Sequence, residues 1–137
     1  MKIIFSTKLP KQEVYFQLFE ATGWNKDYKL TSEELYQSIQ KSSYCISAYN
    51  NEKLVGFGRM LSDGIAHAVI FDVIILPEFQ RSGIGSKIME KLLEECRGNK
   101  IRDIQLFCAD GNIEFYKKFG FKARPENCPG MEIRDQY

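Results

Sequence analysis

The chain has 137 residues, a length that fits one compact domain and is too short for two of ordinary size. Hydrophobic residues make up 44% and charged residues 27%, a balance that argues against a disordered chain. The 19 basic and 18 acidic residues leave a net charge of +1, so the composition offers no global field for nucleic acid or for an anionic membrane.

Hydrophobic periodicity and turn signals predict eleven elements along the chain. In chain order they are a strand at 2–7, a helix at 11–21, a helix beginning at 31, strands at 44–49, 53–60 and 65–76, a helix at 84–98, a strand at 101–108, a helix at 113–119, a strand around 121 and a strand at 131–133. Strands connected through helices indicate a mixed α/β sheet with helices on its faces.

Three local signals fix this assignment best. Thr31 with Glu34 three residues later is a capping box, which predicts a helix start. Residues 50–52 separate two strand-like runs and predict a hairpin. The apolar run at 65–76 stops at Pro77, and apolar residues then recur at helical spacing from Ile84.

Residues 80–85 (Q-R-S-G-I-G) place glycines between a buried strand and an amphipathic helix. Unpaired N–H groups at a helix N-terminus bind anions, and glycines let a phosphate approach the backbone. Arg81 and Lys87 add positive charge nearby. A Walker A loop needs Gly-Lys followed by Ser or Thr, whereas this chain runs Gly85-Ser86-Lys87. A dinucleotide fingerprint needs a third small residue three positions after Gly85, where Ile88 stands. On the glycines alone, an ordinary turn from strand to helix is the alternative.

Two spaced motifs carry a resemblance to a known family. Residues 80–85 fit the acetyl-CoA signature Q/R-x-x-G-x-G/A, and residues 115–121 (F-Y-K-K-F-G-F) fit F/L-Y-x-x-x-G-F. With both motifs in the expected order, the chain resembles the GNAT-superfamily N-acetyltransferases over essentially its whole length. A closer resemblance is to the small plant and cyanobacterial aralkylamine (serotonin-type) acetyltransferases and their bacterial relatives. The segments that match this subgroup are 23–24, 55–59, 62–63, 72–73 and 130–131.

The resemblance implies a fold and a way of holding acetyl-CoA. The expected fold is a single domain over 1–137, with a mixed and mostly antiparallel twisted sheet of six to seven strands. About four helices flank this sheet, and its central strands splay apart. Backbone N–H groups of the strand before the glycine loop would hold the pantetheine arm and polarise the thioester, and those of the loop would hold the pyrophosphate. The residues concerned are Val73, Ile74, Ile75, Arg81, Ser82, Gly83, Ile84, Gly85 and Ser86.

The resemblance also implies that Tyr116 contacts the cofactor sulfur as general acid. A phenol of pKa about 10 can donate to a thiolate while it stays protonated at neutral pH. The alternative is that Tyr116 only packs beside Phe115 and Phe119. Many family members carry an Asn seven residues before this tyrosine, where this chain has Ala109, so that cofactor contact is not carried over.

The amine's base has several candidates. Asp72 lies on the strand before the glycine loop and could accept a proton directly or through water, or it could be a structural acceptor that bonds Arg59 or a loop. Asp110 is a second candidate, although Asp-Gly more often marks a turn. Trp24 and Tyr28 could line an amine pocket or merely cover the core.

We therefore expect an acetyl-CoA-dependent N-acetyltransferase that acts on a small primary amine by direct attack in a ternary complex. The alternatives are a non-catalytic acetyl-CoA-binding module that acts as a sensor or pairs with a partner protein, or an enzyme that acetylates a protein N-terminus or lysine. Four dispersed cysteines without a C-x-x-C pair, and the absence of a secretory signal, favour a reduced cytoplasmic protein without a metal. A homodimer is expected, with the C-terminal strands after Gly120 as a pairing edge.

Overall fold

A computed structural model describes residues 2–137, which divide into two compact units, 2–106 and 107–137. The first unit contains β1 (Ile3–Ser6), α1 (Gln12–Glu20), α2 (Asn25–Tyr28), α3 (Ser32–Gln40), β2 (Tyr44–Asn50), β3 (Lys53–Ser62), β4 (His67–Ile75), a 3₁₀ turn (Pro77–Phe79), α4 (Ile84–Gly98) and β5 (Asp103–Leu106). The second unit contains α5 (Ile113–Lys117). The single domain expected over 1–137 stays a prediction.

The described strands form one mixed sheet in the order β1-β2-β3-β4-β5. The first three pairings are antiparallel, and β4 and β5 are parallel, with α4 as the crossover between them. This architecture confirms the predicted α/β class with a mostly antiparallel mixed sheet flanked by helices.

The expected count of six to seven strands is wrong, since the part of the chain that is described has five. The strands predicted around 121 and at 131–133 do not form. Pro125, Pro129 and Gly130 interrupt this stretch, and the Met131 and Ile133 side chains are each 88% exposed, so they cover no sheet face. The C-terminal strand edge that was expected to pair two copies is therefore absent from the described residues. The homodimer itself stays a prediction.

The sheet of the first unit buries a hydrophobic layer on each face. On one face, α1 and α3 pack over a cluster that includes Leu18, Leu35 and Ile74. On the other face, α4 lies against β2, β3 and β4. Gly56 and Gly58 of β3 let α4 lie close to the sheet. A Cβ on Gly58 would lie only 2.8 Å from Cγ2 of Ile88 in α4. β4, the strand that leads into the glycine loop, is therefore packed on both of its faces.

Helix starts and loops in the first unit follow local hydrogen bonding. Thr31 and Glu34 form the predicted capping box, in which each side chain accepts from the other's backbone N–H. Such a cap contributes about 1 kcal/mol. The sequence does not predict the four-residue helix α2, because this helix is too short to show periodicity. Its Asn25 side chain bonds both backbone groups of Leu30 at 2.9 Å and so closes the loop before α3.

A β-bulge interrupts the pairing of β3 with β4. Phe57 is opposite Ile74 and Arg59 is opposite Phe71, so β4 has one more residue than β3 across this interval. Asp72 lies within the interval with a φ of 53°, in the left-handed region that an aspartate tolerates better than most residues. The bulge bends β4 at the segment for which the resemblance predicts a cofactor contact.

None of the helices within residues 2–137 combines the length and apolar character needed to cross a membrane.

The turn between β3 and β4 supplies a test of the fold by pH. The Asp63 carboxylate accepts three backbone N–H bonds, from Ile65, Ala66 and His67, and these lower its pKa to about 2 from 3.8. A lowered pKa in the folded state contributes stability that is present above pH 3.8 and is lost as pH falls through 2. We expect Asp63→Ala to be less stable than the wild type, with a difference that is largest above pH 4 and shrinks towards pH 2. Denaturant unfolding at several pH values measures it, and a difference independent of pH would contradict this assignment.

Candidate active site

The loop before α4 exposes the N-terminus of a 15-residue helix. Gly83 is the N-cap with a φ of 88°, and no side chain caps the helix. A Cβ built on Gly83 would meet nothing within 4 Å, so open space lies over this residue. The first N–H groups of α4, which have no partner within the helix, can therefore bind an anion here.

Side chains of the loop fix its shape. The Gln80 side-chain amide donates to the Ile75 carbonyl at 3.1 Å, and the Ser82 hydroxyl donates to the Phe79 carbonyl. Arg81 has a φ of 62°, a conformation that is strained for arginine. The loop is thus held to the end of β4 by its own side chains, and the exposed Arg81 supplies positive charge beside the helix terminus.

Among the described residues, one edge of β4 has no partner strand after Ile70. Pairing with β5 ends where Ile70 lies opposite Leu106, and β4 continues to Ile75. The Leu76 N–H donates to the Val55 carbonyl of β3 at 2.9 Å. Backbone groups alternate in direction along a strand, so the N–H of Ile74 faces β3. Those of Val73 and Ile75 point away from β3, towards the edge of β4 that β5 does not reach. Of the three predicted residues, Val73 and Ile75 are oriented to bind a ligand at this edge through their N–H groups.

Asp72, at the bulge, is ion-paired with Arg59. The Arg59 Nε donates to Asp72 Oδ2 at 2.7 Å, and the two side chains are 14% and 20% exposed. Arg59 Nη1 also reaches the Ser38 carbonyl at 3.3 Å and the Ser42 hydroxyl at 3.5 Å, at the C-terminal end of α3. The ion pair therefore ties the bulge to α3, which favours the structural alternative for Asp72 over the role of base.

In the second unit, Tyr116 lies on α5 among aromatic rings. Its ring centroid is 5.1 Å from that of Phe115 and 6.1 Å from that of Phe121, and Phe115 also contacts Phe119. The Tyr116 side chain is half-buried, and burial together with the nearby Cys108 raises the pKa of its phenol. Tyr116 is therefore both packed and held in the protonated state that a general acid needs at neutral pH.

The other candidates are placed as follows. Asp110 is exposed in a turn before Gly111, which has a φ of 84°, as the Asp-Gly pair indicates. In the first unit, Trp24 and Tyr28 pack against the Phe19 ring with centroid distances of 5.9 and 6.5 Å. They are nevertheless 39% and 51% exposed, so each covers the core and also presents ring surface.

Tyr15 is a buried polar residue that no sequence motif marks. It is 1% exposed, and its hydroxyl has no hydrogen-bond partner among the described residues. In the sequence it belongs to an apolar helical stretch, so no signal there distinguishes a core tyrosine from one that serves a site.

A surface cavity of about 310 Å³ lies elsewhere on the first unit. Its lining comes from α1, the β2–β3 turn, the start of β3 and the segment after β4, namely Val14, Gln17, Leu18, Glu52, Lys53, Leu54, Leu76 and Glu78. None of the predicted site residues lines this cavity. Within residues 2–137, no cluster of three or more His, Cys, Asp or Glu side chains is placed to hold a metal ion.

Comparison with known proteins gives consistent matches. The model of the acetyltransferase (GNAT) family matches residues 12–121. The uncharacterized N-acetyltransferase ycf52 of Pyropia yezoensis is 36% identical over 119 residues, which are 84% of this chain and 67% of that protein. The chloroplastic serotonin N-acetyltransferase 2 of Oryza sativa subsp. japonica is 35% identical over 77 residues, 56% of this chain and 38% of that enzyme. A solved GNAT-family acetyltransferase from Streptococcus pneumoniae superposes with a TM-score of 0.83 at 28% identity, covering 99% and 100% of the two chains.

Proposed function

Because the chain belongs to the GNAT acetyltransferase family, we propose that it transfers the acetyl group of acetyl-CoA to the primary amine of a small molecule, by direct attack in a ternary complex. One observation carries the proposal. In the first unit, the uncapped N-terminus of α4 lies behind the open Gly83 loop, directly after a strand whose Val73 and Ile75 N–H groups face an unpaired edge.

These residues fit the two polar parts of acetyl-CoA. The N–H groups from Arg81 to Ser86, with the helix dipole behind them, suit a pyrophosphate. The N–H groups of Val73 and Ile75 suit the amide groups of the pantetheine arm and the thioester oxygen. Acetyl-CoA supplies the activated acetyl group, and the backbone of β4 stabilises the negative charge that develops on its carbonyl oxygen.

We assign to Tyr116 the protonation of the departing thiolate, and to water the acceptance of the proton that the attacking amine releases. A phenol whose pKa is raised by burial keeps its proton at neutral pH and can donate it to the sulfur. A sensor that only binds acetyl-CoA needs no such acid, which favours the enzyme over the sensor.

We assign Asp72 a positioning role through its ion pair with Arg59. In this role the carboxylate fixes the conformation of the bulge, and the bulge in turn sets the direction in which the Val73 N–H points. Asp72→Asn is then expected to lower kcat about 10- to 100-fold by misplacing the bulge. The loss should be the same from pH 6 to 9, and Arg59→Met should reproduce it.

The pH profile of kcat for both variants checks this assignment. If Asp72 is instead the base that accepts the amine's proton, the loss is largest at low pH and shrinks as rising pH deprotonates the amine in solution. Arg59→Met would then fail to reproduce the profile of Asp72→Asn.

For the acceptor, we propose an amine with an aromatic or other apolar body. Two observations support this class. The rice relative is named a serotonin N-acetyltransferase, and Trp24 and Tyr28 present partly exposed rings beside Phe19. An aromatic surface binds a flat apolar body and also attracts a cation.

A panel of acceptors tests the function. It contains aromatic amines, alkyl amines, amino acids and peptides with a free N-terminus or a lysine. We expect at least one small amine to release CoA and to gain an acetyl group by mass spectrometry. Acetylation of the peptides alone would favour a protein acetyltransferase. Acetyl-CoA binding without acetylation of any acceptor would favour a sensor.

A further inference from the structure

The cavity of about 310 Å³ on the first unit has an apolar floor. The floor consists of aliphatic side chains that belong to the hydrophobic core cluster or pack against it, namely Val14, Leu18, Leu54 and Leu76. Ligand pockets in proteins combine such a lining with a few polar groups and have volumes from about 300 to 1,000 Å³. This cavity lies at the small end of that range, so it suits a compact molecule.

Two short turns form part of the rim of the cavity. Glu52 lies in the tight turn that connects β2 to β3. Glu78 lies in the 3₁₀ turn after β4, in which the Phe79 N–H donates to the Leu76 carbonyl at 2.9 Å. The strand pairing and this hydrogen bond are present in the free chain, so the backbone of the rim is ordered before any ligand binds.

The charged groups of the rim favour a positively charged ligand. The carboxylates of Glu52 and Glu78 and the single ammonium of Lys53 leave a net charge of −1 on the lining. Lys53 Nζ is 3.8 Å from Glu78 Oε1, and the two side chains are 61% and 59% exposed. An exposed ion pair of this kind contributes at most about 1 kcal/mol, so Glu78 can exchange its partner. The Glu52 carboxylate has no ion pair or hydrogen bond with any described residue.

We propose that this cavity is a second ligand site, separate from the proposed acetyl-CoA site, and that it takes a compact organic cation with a primary ammonium group and a short aliphatic body. The ammonium group binds at the carboxylates of the rim, where its hydrogen bonds are charge-assisted. The aliphatic body covers the apolar floor and removes it from water. The inference does not depend on the proposed function, since binding here involves no acetyl transfer.

Titration of the free wild-type protein with n-butylammonium tests the site. At constant ionic strength, the methyl resonances of Val14, Leu18, Leu54 and Leu76 should shift saturably, with a dissociation constant on the order of millimolar. Butyrate and n-butanol carry the same aliphatic body with a negative charge or none. Each should bind at least about 5-fold more weakly than the ammonium compound. The indole resonance of Trp24, which does not line the cavity, should stay in place.

Three substitutions on the rim are expected to act in opposite directions. Glu52→Gln and Glu78→Gln should each weaken n-butylammonium binding by about 3- to 10-fold, because each removes a negative charge. Lys53→Met keeps the length of the side chain and removes the competing cation, so binding should become about 3-fold tighter. Glu94→Gln is the matched control. It makes the same change of charge at an exposed position of α4, on the other face of the sheet, and should leave the affinity unchanged.

The outcomes that would overturn the proposal are equally specific. One is the absence of saturable shifts at the floor methyl groups up to about 50 mM n-butylammonium. Another is butyrate or n-butanol binding as tightly as the ammonium compound. A shift of the Trp24 indole without any shift at the floor would place the cation on the aromatic surface instead. Weaker binding in Lys53→Met, or an equal loss in Glu94→Gln and Glu52→Gln, would contradict the role assigned to the rim.

Discussion

Removing the Tyr116 hydroxyl is expected to lower kcat on the order of 10- to 1000-fold while KM for acetyl-CoA barely changes. Tyr116→Phe keeps the ring that packs against Phe115 and Phe121, so the variant should fold and bind acetyl-CoA. The lost hydrogen bond is made chiefly to the developing thiolate, which exists only late in the reaction. Steady-state kinetics with a saturating amine measures the split between kcat and KM.

The pH dependence gives the same assignment a second test. A general acid works only while it is protonated, and burial raises the pKa of Tyr116 above its ordinary value of 10. We therefore expect any alkaline loss of activity that Tyr116 causes to have its midpoint above pH 10. Tyr137→Phe removes a hydroxyl from a fully exposed tyrosine of the same unit and should leave kcat unchanged. If Tyr116→Phe raises KM for acetyl-CoA by as large a factor as it lowers kcat, the residue serves only to hold structure.

Gly83→Val is expected to weaken acetyl-CoA binding by about 10- to 100-fold. The new side chain would occupy the open space over the N-terminus of α4, where the pyrophosphate is proposed to bind. The φ of 88° also strains any residue with a Cβ, so the variant loses about 1 kcal/mol or more of stability for a reason unrelated to the ligand. Affinity measured by calorimetry must therefore be compared with a variant that carries the same strain.

Gly64→Val is that control. Gly64 has a φ of 76° and equally open space around a Cβ, and it lies in the β3–β4 turn at the opposite end of β4 from the loop. Both valine variants should be destabilised by similar amounts in denaturant unfolding, and only Gly83→Val should bind acetyl-CoA more weakly. Equal affinity in the two variants would mean that the loop is an ordinary turn.

The elements that sequence predicts well depend on local physics. Thr31 and Glu34 specify a helix start by hydrogen bonds between residues three apart, and the structure contains that capping box. The apolar spacing from Ile84 predicts α4, because residues that recur every three or four positions share one helical face. The sequence likewise predicts the loop around Gly83, because the motif lies between a predicted strand and a predicted helix.

Features that depend on distant partners were not predictable from the sequence. The bulge at Asp72 arises from the register between β3 and β4, which no local pattern specifies. The ion pair between Arg59 and Asp72 was only one of several alternatives, because the residues are 13 positions apart on different strands. Met131 and Ile133 suggested a strand by their spacing, yet a strand requires a neighbour to pair with, and the described chain offers none there.

Titration of the wild-type protein with acetyl-CoA in a calorimeter tests the central claim most directly. It needs no knowledge of the acceptor amine, and it reports on the loop at Gly83 and the edge of β4 together. The proposed site predicts saturable binding of one acetyl-CoA per chain, with a dissociation constant in the micromolar range. Absence of binding at high micromolar acetyl-CoA would contradict it.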